Sequence, residues 1–185
     1  MALQELANAI PEAAKDLRLN LTAIPQTATL TPQQLWTVAL ASAFATRNAA
    51  VVAAVGADAR AQLSDAAVAA AKTAAALMGM NNVYYRFVHL VGDAEYERMP
   101  ARLRMQGLAR PGIDAVDFEL ACLAVSAIHG CGMCMASHAG HVVTKGATKA
   151  SAQDAVRIAA ILHGVAVALD LEAHSAGMSA GTAAR

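Results

Sequence analysis

Residues 118–141 read FELACLAVSAIHGCGMCMASHAGH. The stretch begins as a helix. Asp114 stands before it as a cap, and Phe118, Cys122, Val125 and Ile128 recur at helical spacing. Near Gly130 the pattern stops, and Cys131 and Cys134 follow at once, with His129, His138 and His141 around them. No charge interrupts the chain from Leu120 to Thr144, a run long enough to raise a membrane span. The histidines, hydroxyls, glycines and cysteine pair inside it favour a buried helix followed by a functional turn instead.

The rest of the chain reads the same way. Hydrophobic residues make up 57% of the 185 and aromatics only 4%, with alanine supplying the excess. Alanine favours helix and cannot fill a bulky core, so closely packed helices are expected, in one domain. Strand-type alternation is almost absent. A mean hydropathy of +0.40 implies that some apolar helix surface is covered by other subunits. Zero net charge and the lack of a polybasic run argue against nucleic acid or an anionic membrane as partner. Acids at positions 5, 12 and 16 break the start of the chain, so no secretory leader is read there. A cytoplasmic protein is expected, where paired cysteines signal metal or redox chemistry.

Caps divide the chain. Thr31, Pro32 and Gln34 form a capping box, followed by Trp36, Leu40 and Phe44 at spacing four. Ser64 caps a helix expected to reach Met78 and stop at Gly79. Ser151 to Asp154 reads as another cap, with a helix to about Leu171. Residues 92–112 read as a polar connector carrying one short helix. The domain is taken as 1–175, with 176–185 as a flexible tail. LWTVALASAF (35–44) resembles ELACLAVSAI (119–128), and AAALMGM (74–80) resembles AAILHGV (159–165), at offsets of 84 and 85 residues. A duplicated helical unit explains both. Only the second copy holds cysteine.

Cys131, Cys134, His138 and His141 are the right residue types for zinc. On a straight helix they share a face, but the first and last stand about 15 Å apart along its axis. One ion with bonds of about 2.0–2.3 Å cannot gather them, so no metal is expected at this set. A redox dithiol fits better. A helix N-terminus favours a thiolate, and Gly130 and Gly132 permit the break and the tight geometry. His138 lies four residues after Cys134 on the same face, placed to exchange a thiol proton. Glu119, the only acid between Asp117 and Asp154, sits on an apolar helix, where a carboxylate needs a partner or a proton to move. His129, His141 and His163 read as structural, and Cys122 as a buried inert thiol. Thioredoxin is excluded because its motif follows a strand.

Glu119, eleven residues, Cys131, two residues, Cys134, three residues, His138 resembles the alkyl hydroperoxidase D family, within the carboxymuconolactone decarboxylase-like superfamily. IPEAAKDLRLNL, QLWTVALASAFATRN, MGMNNVYYR, LRMQGLARPGI and FELACLAVSAIHGCGMC carry the resemblance along nearly the whole chain. It implies an all-α fold assembled as homotrimers. It also implies an antioxidant peroxidase acting on organic hydroperoxides, which re-reduces a partner, the peroxiredoxin component of alkyl hydroperoxide reductase. Electrons are implied to come from dihydrolipoamide through dihydrolipoamide dehydrogenase and a lipoylated acyltransferase, with no bound cofactor. By matching position, the resemblance implies that Cys134 is the attacking thiol that forms a sulfenic acid, that Cys131 is its resolving partner and proton donor, and that Glu119 and His138 relay protons. Dipole reasoning alone favours Cys131 as the more acidic thiol, whereas the His138 spacing favours Cys134. Typical members carry a histidine between the cysteines, where this chain has Met133. The competing readings are a decarboxylase of the same superfamily, which needs no dithiol, and a zinc-binding helical module.

Overall fold

The computed structural model describes the backbone of residues 1–182 and the side chains of residues 1–175. The described residues are helical and contain no strand. The helices are α1 (Ala2–Asn8), α2 (Asp16–Ala23), α3 (Pro32–Thr46), α4 (Ala49–Ala59), α5 (Asp65–Val91), α6 (Ala94–Arg98), α7 (Gln106–Ala109), α8 (Ala115–Ile128), α9 (Gly132–Thr144) and α10 (Lys149–Thr182). Single 3₁₀ turns follow α1 and α2.

Two helices form the centre. Every residue of α3 from Leu35 to Ala43 is buried, and so is every residue of α8 from Leu120 to Ser126. The spacing-four stripe expected of α3 is therefore only part of its buried surface. Small side chains make this possible, because alanines let α3 and α8 lie against each other with α5 and α10 packed around them. One core runs through the chain, from Leu3 and Ile10 through Val38, Val55 and Leu120 to Leu162.

The internal repeat is visible in the caps. Thr31, Asn48 and Ser64 cap α3, α4 and α5 through their side chains. Asp114 and Cys131 occupy the same place before α8 and α9, each 83 residues later. Thr148 does so before α10, 84 residues after Ser64, accepting the Ser151 N–H at 3.0 Å. The capping box at Thr31 makes both of its hydrogen bonds.

Three boundaries differ from the sequence reading. α5 continues through Gly79 to Val91 and stops at Gly92, whose φ is 66°. A glycine inside a helix costs only about 1 kcal/mol, and burial of Met78, Asn82 and Val88 on that helix outweighs it. α10 starts from Thr148, with Ser151 in its first turn, and reaches Thr182 instead of Leu171. The connector carries two short helices, α6 and α7, instead of one. The flexibility expected of 176–185 falls largely on side chains and residues outside those described.

The uncharged run from Leu120 to Thr144 is broken into two helices at His129–Cys131. Among the described residues no helix is long and apolar enough to cross a membrane.

Because Leu120 is wholly buried in the central layer, Leu120→Ala is expected to lower unfolding free energy by about 2–5 kcal/mol. Urea denaturation followed by circular dichroism measures this.

Candidate active site

The site begins with the turn between α8 and α9. The Gly130 N–H donates to the Ala127 carbonyl and the Cys131 N–H to the Ser126 carbonyl, both at 3.1 Å. This is a Schellman ending, and it places Gly130 at φ 68°, where a side chain is disfavoured. The next residue, Cys131, caps α9. Its sulfur accepts the Cys134 N–H at 3.2 Å.

A second network braces the turn from α5. The Ser126 hydroxyl donates to Asn82 Oδ1 at 3.1 Å, and the Asn82 amide donates to His129 Nδ1 at 3.2 Å. The Arg86 guanidinium donates to the His129 carbonyl at 2.6 Å. Burial lowers the His129 pKa, and the positive charges of Arg47, Arg86 and His163 push the same way, against a backbone hydrogen bond with Met78. A neutral imidazole is what Asn82 requires, because its amide can only donate there. His129 thus has a structural place beneath the dithiol.

Cys131 and Cys134 are joined by a disulfide, with Cα atoms 5.3 Å apart. Cys131 is 0% exposed and Cys134 is 7% exposed. Of the two cysteines, only Cys134 lines a cavity of about 330 Å³ between α5, α7, α8 and α9. Met78, Tyr85, Met105, Leu108, Phe118 and Met133 give the cavity apolar walls. Its polar side is made by Asn81, Glu119, Ser137, His138 and His141.

Glu119 faces two histidines. Its Oε2 lies 2.7 Å from His138 Nδ1 and its Oε1 lies 3.3 Å from His141 Nδ1. His138 Nε2 rests 3.3 Å from the sulfur of Met78. Burial raises the Glu119 pKa, but the hydrogen bonds and positive charge offered by His138 and His141 outweigh burial, and the net shift is downward. This carboxyl therefore stays ionised further into acid than an ordinary glutamate. Cys122 is fully buried one helical turn away, and burial, then the Glu119 charge, push its thiol far upward, so it is no nucleophile.

The sequence-predicted set of Glu119, Cys131, Cys134 and His138 is thus brought to one place. His141, read from sequence as structural, joins the carboxylate as well. The apolar walls from α5 and α7 were not anticipated. Met78, Asn81 and Tyr85 do recur at helical spacing, which marks a shared face but does not say what the face meets.

The carboxymuconolactone decarboxylase family matches the chain over residues 94–173, which include α8 and α9. Similarity to individual proteins extends much further. The alkyl hydroperoxide reductase AhpD of Rhodospirillum centenum is 50% identical over 183 residues, covering 99% of this chain and 98% of that protein. AhpD of Anaeromyxobacter dehalogenans is 51% identical with the same coverage, and that of a Bradyrhizobium species 52% identical over 97% of this chain and 99% of that protein. The chain belongs to the alkyl hydroperoxide reductase AhpD family.

The lowered Glu119 pKa sets a sign for stability. Its contribution is complete above the ordinary carboxylate range and is lost as pH falls through the depressed folded value. Wild type is expected to exceed Glu119→Gln in stability at pH 7, with the gap closing in acid. Parallel denaturation curves at pH 7 and at pH 3 measure it.

Proposed function

We propose that the chain is an antioxidant dithiol peroxidase that reduces organic hydroperoxides and re-reduces a peroxiredoxin partner, drawing electrons from dihydrolipoamide. One observation carries the reading. Of the cysteine pair, only Cys134 opens onto the apolar cavity, and that cavity is also lined by Glu119 and His138. A hydroperoxide with an alkyl body fits methionine, leucine and phenylalanine walls, while its O–O bond needs a thiolate and a proton source.

The cycle starts from the dithiol. Ionised Glu119 orients His138 and supports positive charge on it, so His138 can take the Cys134 proton. The Cys134 thiolate attacks the terminal, hydroxyl oxygen of the hydroperoxide. The O–O bond breaks, the sulfur becomes a sulfenic acid, and the leaving alkoxide takes the proton back through His138 as an alcohol. The Cys131 thiol then condenses with the sulfenic acid, releasing water and forming the Cys131–Cys134 disulfide. Dihydrolipoamide reopens it by two thiol exchanges and leaves as the cyclic disulfide. In the adaptor role the reduced dithiol attacks the disulfide of an oxidised peroxiredoxin by the same exchange.

A decarboxylase reading has no use for the dithiol, which weighs against it. Homotrimeric assembly belongs to the same proposal. It is supported by Val83, Phe87, Leu90 and Val91, large apolar side chains exposed along the last turns of α5. The electron donors in the cell are then dihydrolipoamide dehydrogenase and a lipoylated acyltransferase.

Cys134→Ser is expected to abolish turnover of tert-butyl hydroperoxide with dihydrolipoamide. Wild-type turnover in that variant sinks the assignment. Adding the peroxiredoxin to the wild-type assay ranks the adaptor role against direct reduction. Met133→His is expected to raise the direct rate, because it adds an ionisable group on the cavity wall beside Cys134. A steady-state rate no higher than wild type overturns that expectation.

A further inference from the structure

We propose that Glu119, His138 and His141 form a binding site for a divalent transition metal of the zinc class, and that the bound ion competes with proton transfer at His138. One ligand atom from each of the three residues lies within 4.8 Å of the other two. The nitrogens facing the carboxylate are Nδ1 in both histidines, at 2.7 Å and 3.3 Å from its two oxygens.

The spacing suits an ion. With bonds of about 2.0–2.1 Å, neighbouring ligands of tetrahedral zinc stand about 3.3 Å apart. The His141–Glu119 pair is already at that distance through Oε1. The His138–Glu119 contact, made through Oε2, must open by about half an ångström, and the carboxylate must turn to offer one oxygen to the ion. The framework for this is rigid, since His138 and His141 sit three residues apart on α9, and Glu119 comes from the adjoining α8. Two imidazoles and a carboxylate form a donor set that zinc, cobalt and copper accept. All three residues line the cavity, so a fourth coordination position faces open space.

At 2.7 Å, His138 Nδ1 and the Glu119 oxygen are held together by a proton between them. A metal ion takes over that task at Nδ1, and in the neutral imidazole the displaced proton moves to Nε2. The site owes nothing to the cysteines. It differs from the Cys131, Cys134, His138, His141 set that the sequence suggests, and it is available while those cysteines are tied in their disulfide. With the metal on Nδ1 and the proton on Nε2, His138 has no free nitrogen to receive the Cys134 proton. That consequence, unlike the binding itself, rests on the relay described under the proposed function.

The test uses full-length protein, stripped with a chelator and kept in the disulfide form, so that no reactive thiol is free. Calorimetric titration with Zn²⁺ is expected to give one ion per chain. His141→Ala and Glu119→Gln are each expected to weaken binding at least about tenfold, since losing a ligand costs no less than losing a second-layer partner. His141 is more than half exposed, so its loss leaves the fold intact, checked by circular dichroism. Absence of Zn²⁺ binding in wild type, or unchanged binding in both variants, overturns the site. Peroxidase turnover is then measured with Zn²⁺ added and again with the chelator restored. Reversible inhibition is expected in wild type and its weakening in His141→Ala, and equal inhibition of both, which thiol binding of Zn²⁺ alone would give, overturns the competition. Stoichiometric Zn²⁺ without inhibition overturns the competition and leaves the relay, not the metal site, as the part that fails.

Discussion

The active region depends on a single change of direction at Gly130. The segment His129–Cys131 turns the end of α8 into the start of α9. The turn works because residue 130 adopts φ 68° while the N–H groups of 130 and 131 close onto α8. Everything chemical is positioned from there. Glu119 projects from the helix before the turn, Cys134, His138 and His141 from the helix after it. Their meeting is a property of the angle between two helices, not of any residue alone. The Asn82 and Arg86 contacts hold that angle from α5.

The first half of the chain shows what this turn looks like without chemistry. Arg47 occupies the left-handed position, at φ 59°, where the second half has Gly130, and Asn48 caps α4 where Cys131 caps α9. Asn48 accepts the Val51 N–H with an oxygen, as Cys131 accepts the Cys134 N–H with a sulfur. The same capping position thus holds an amide oxygen in one half and a disulfide sulfur in the other, although the Asn48 N–H goes to the Thr46 hydroxyl where the Cys131 N–H goes to the Ser126 carbonyl. The paired serines diverge likewise. Ser126 anchors Asn82 beneath the dithiol, whereas the buried hydroxyl of Ser42 has no hydrogen-bond partner among the described residues. A buried hydroxyl without a partner costs free energy.

Local chemistry made much of this legible in advance. Capping side chains mark where backbone N–H groups need partners, so Thr31, Ser64 and Asp114 located three helix starts. The offset between similar segments located the duplication. The Cys-x-x-Cys pair, the histidine one turn later and an isolated glutamate on an apolar helix marked residues that the fold brings together. What sequence could not supply depends on tertiary packing. Gly79 looked like a stop because glycine weakens helices, but burial along α5 outweighs a local penalty of that size. His141 looked idle because helical spacing relates it to Cys134 and His138, not to Glu119 on another helix. Met105 and Leu108 lie in a polar connector whose sequence carries no sign that it folds back over the cavity.

The two cysteines illustrate how opposing effects are settled by position. The dipole and free N–H groups of α9 act most strongly at Cys131, and they favour a thiolate there. Complete burial of Cys131 acts the other way, since a charged sulfur away from water is costly. Access decides between them. In the proposed cycle the peroxide meets Cys134 from the cavity, within the first turn of the same helix and one turn from His138, and not Cys131, which has no exposed surface. The residue next to it, Met133, lines the same wall without any charge to offer. In the proposed cycle the burden of activating Cys134 therefore falls on the Glu119–His138 pair, and a carboxylate kept ionised by two histidines is well suited to carry it.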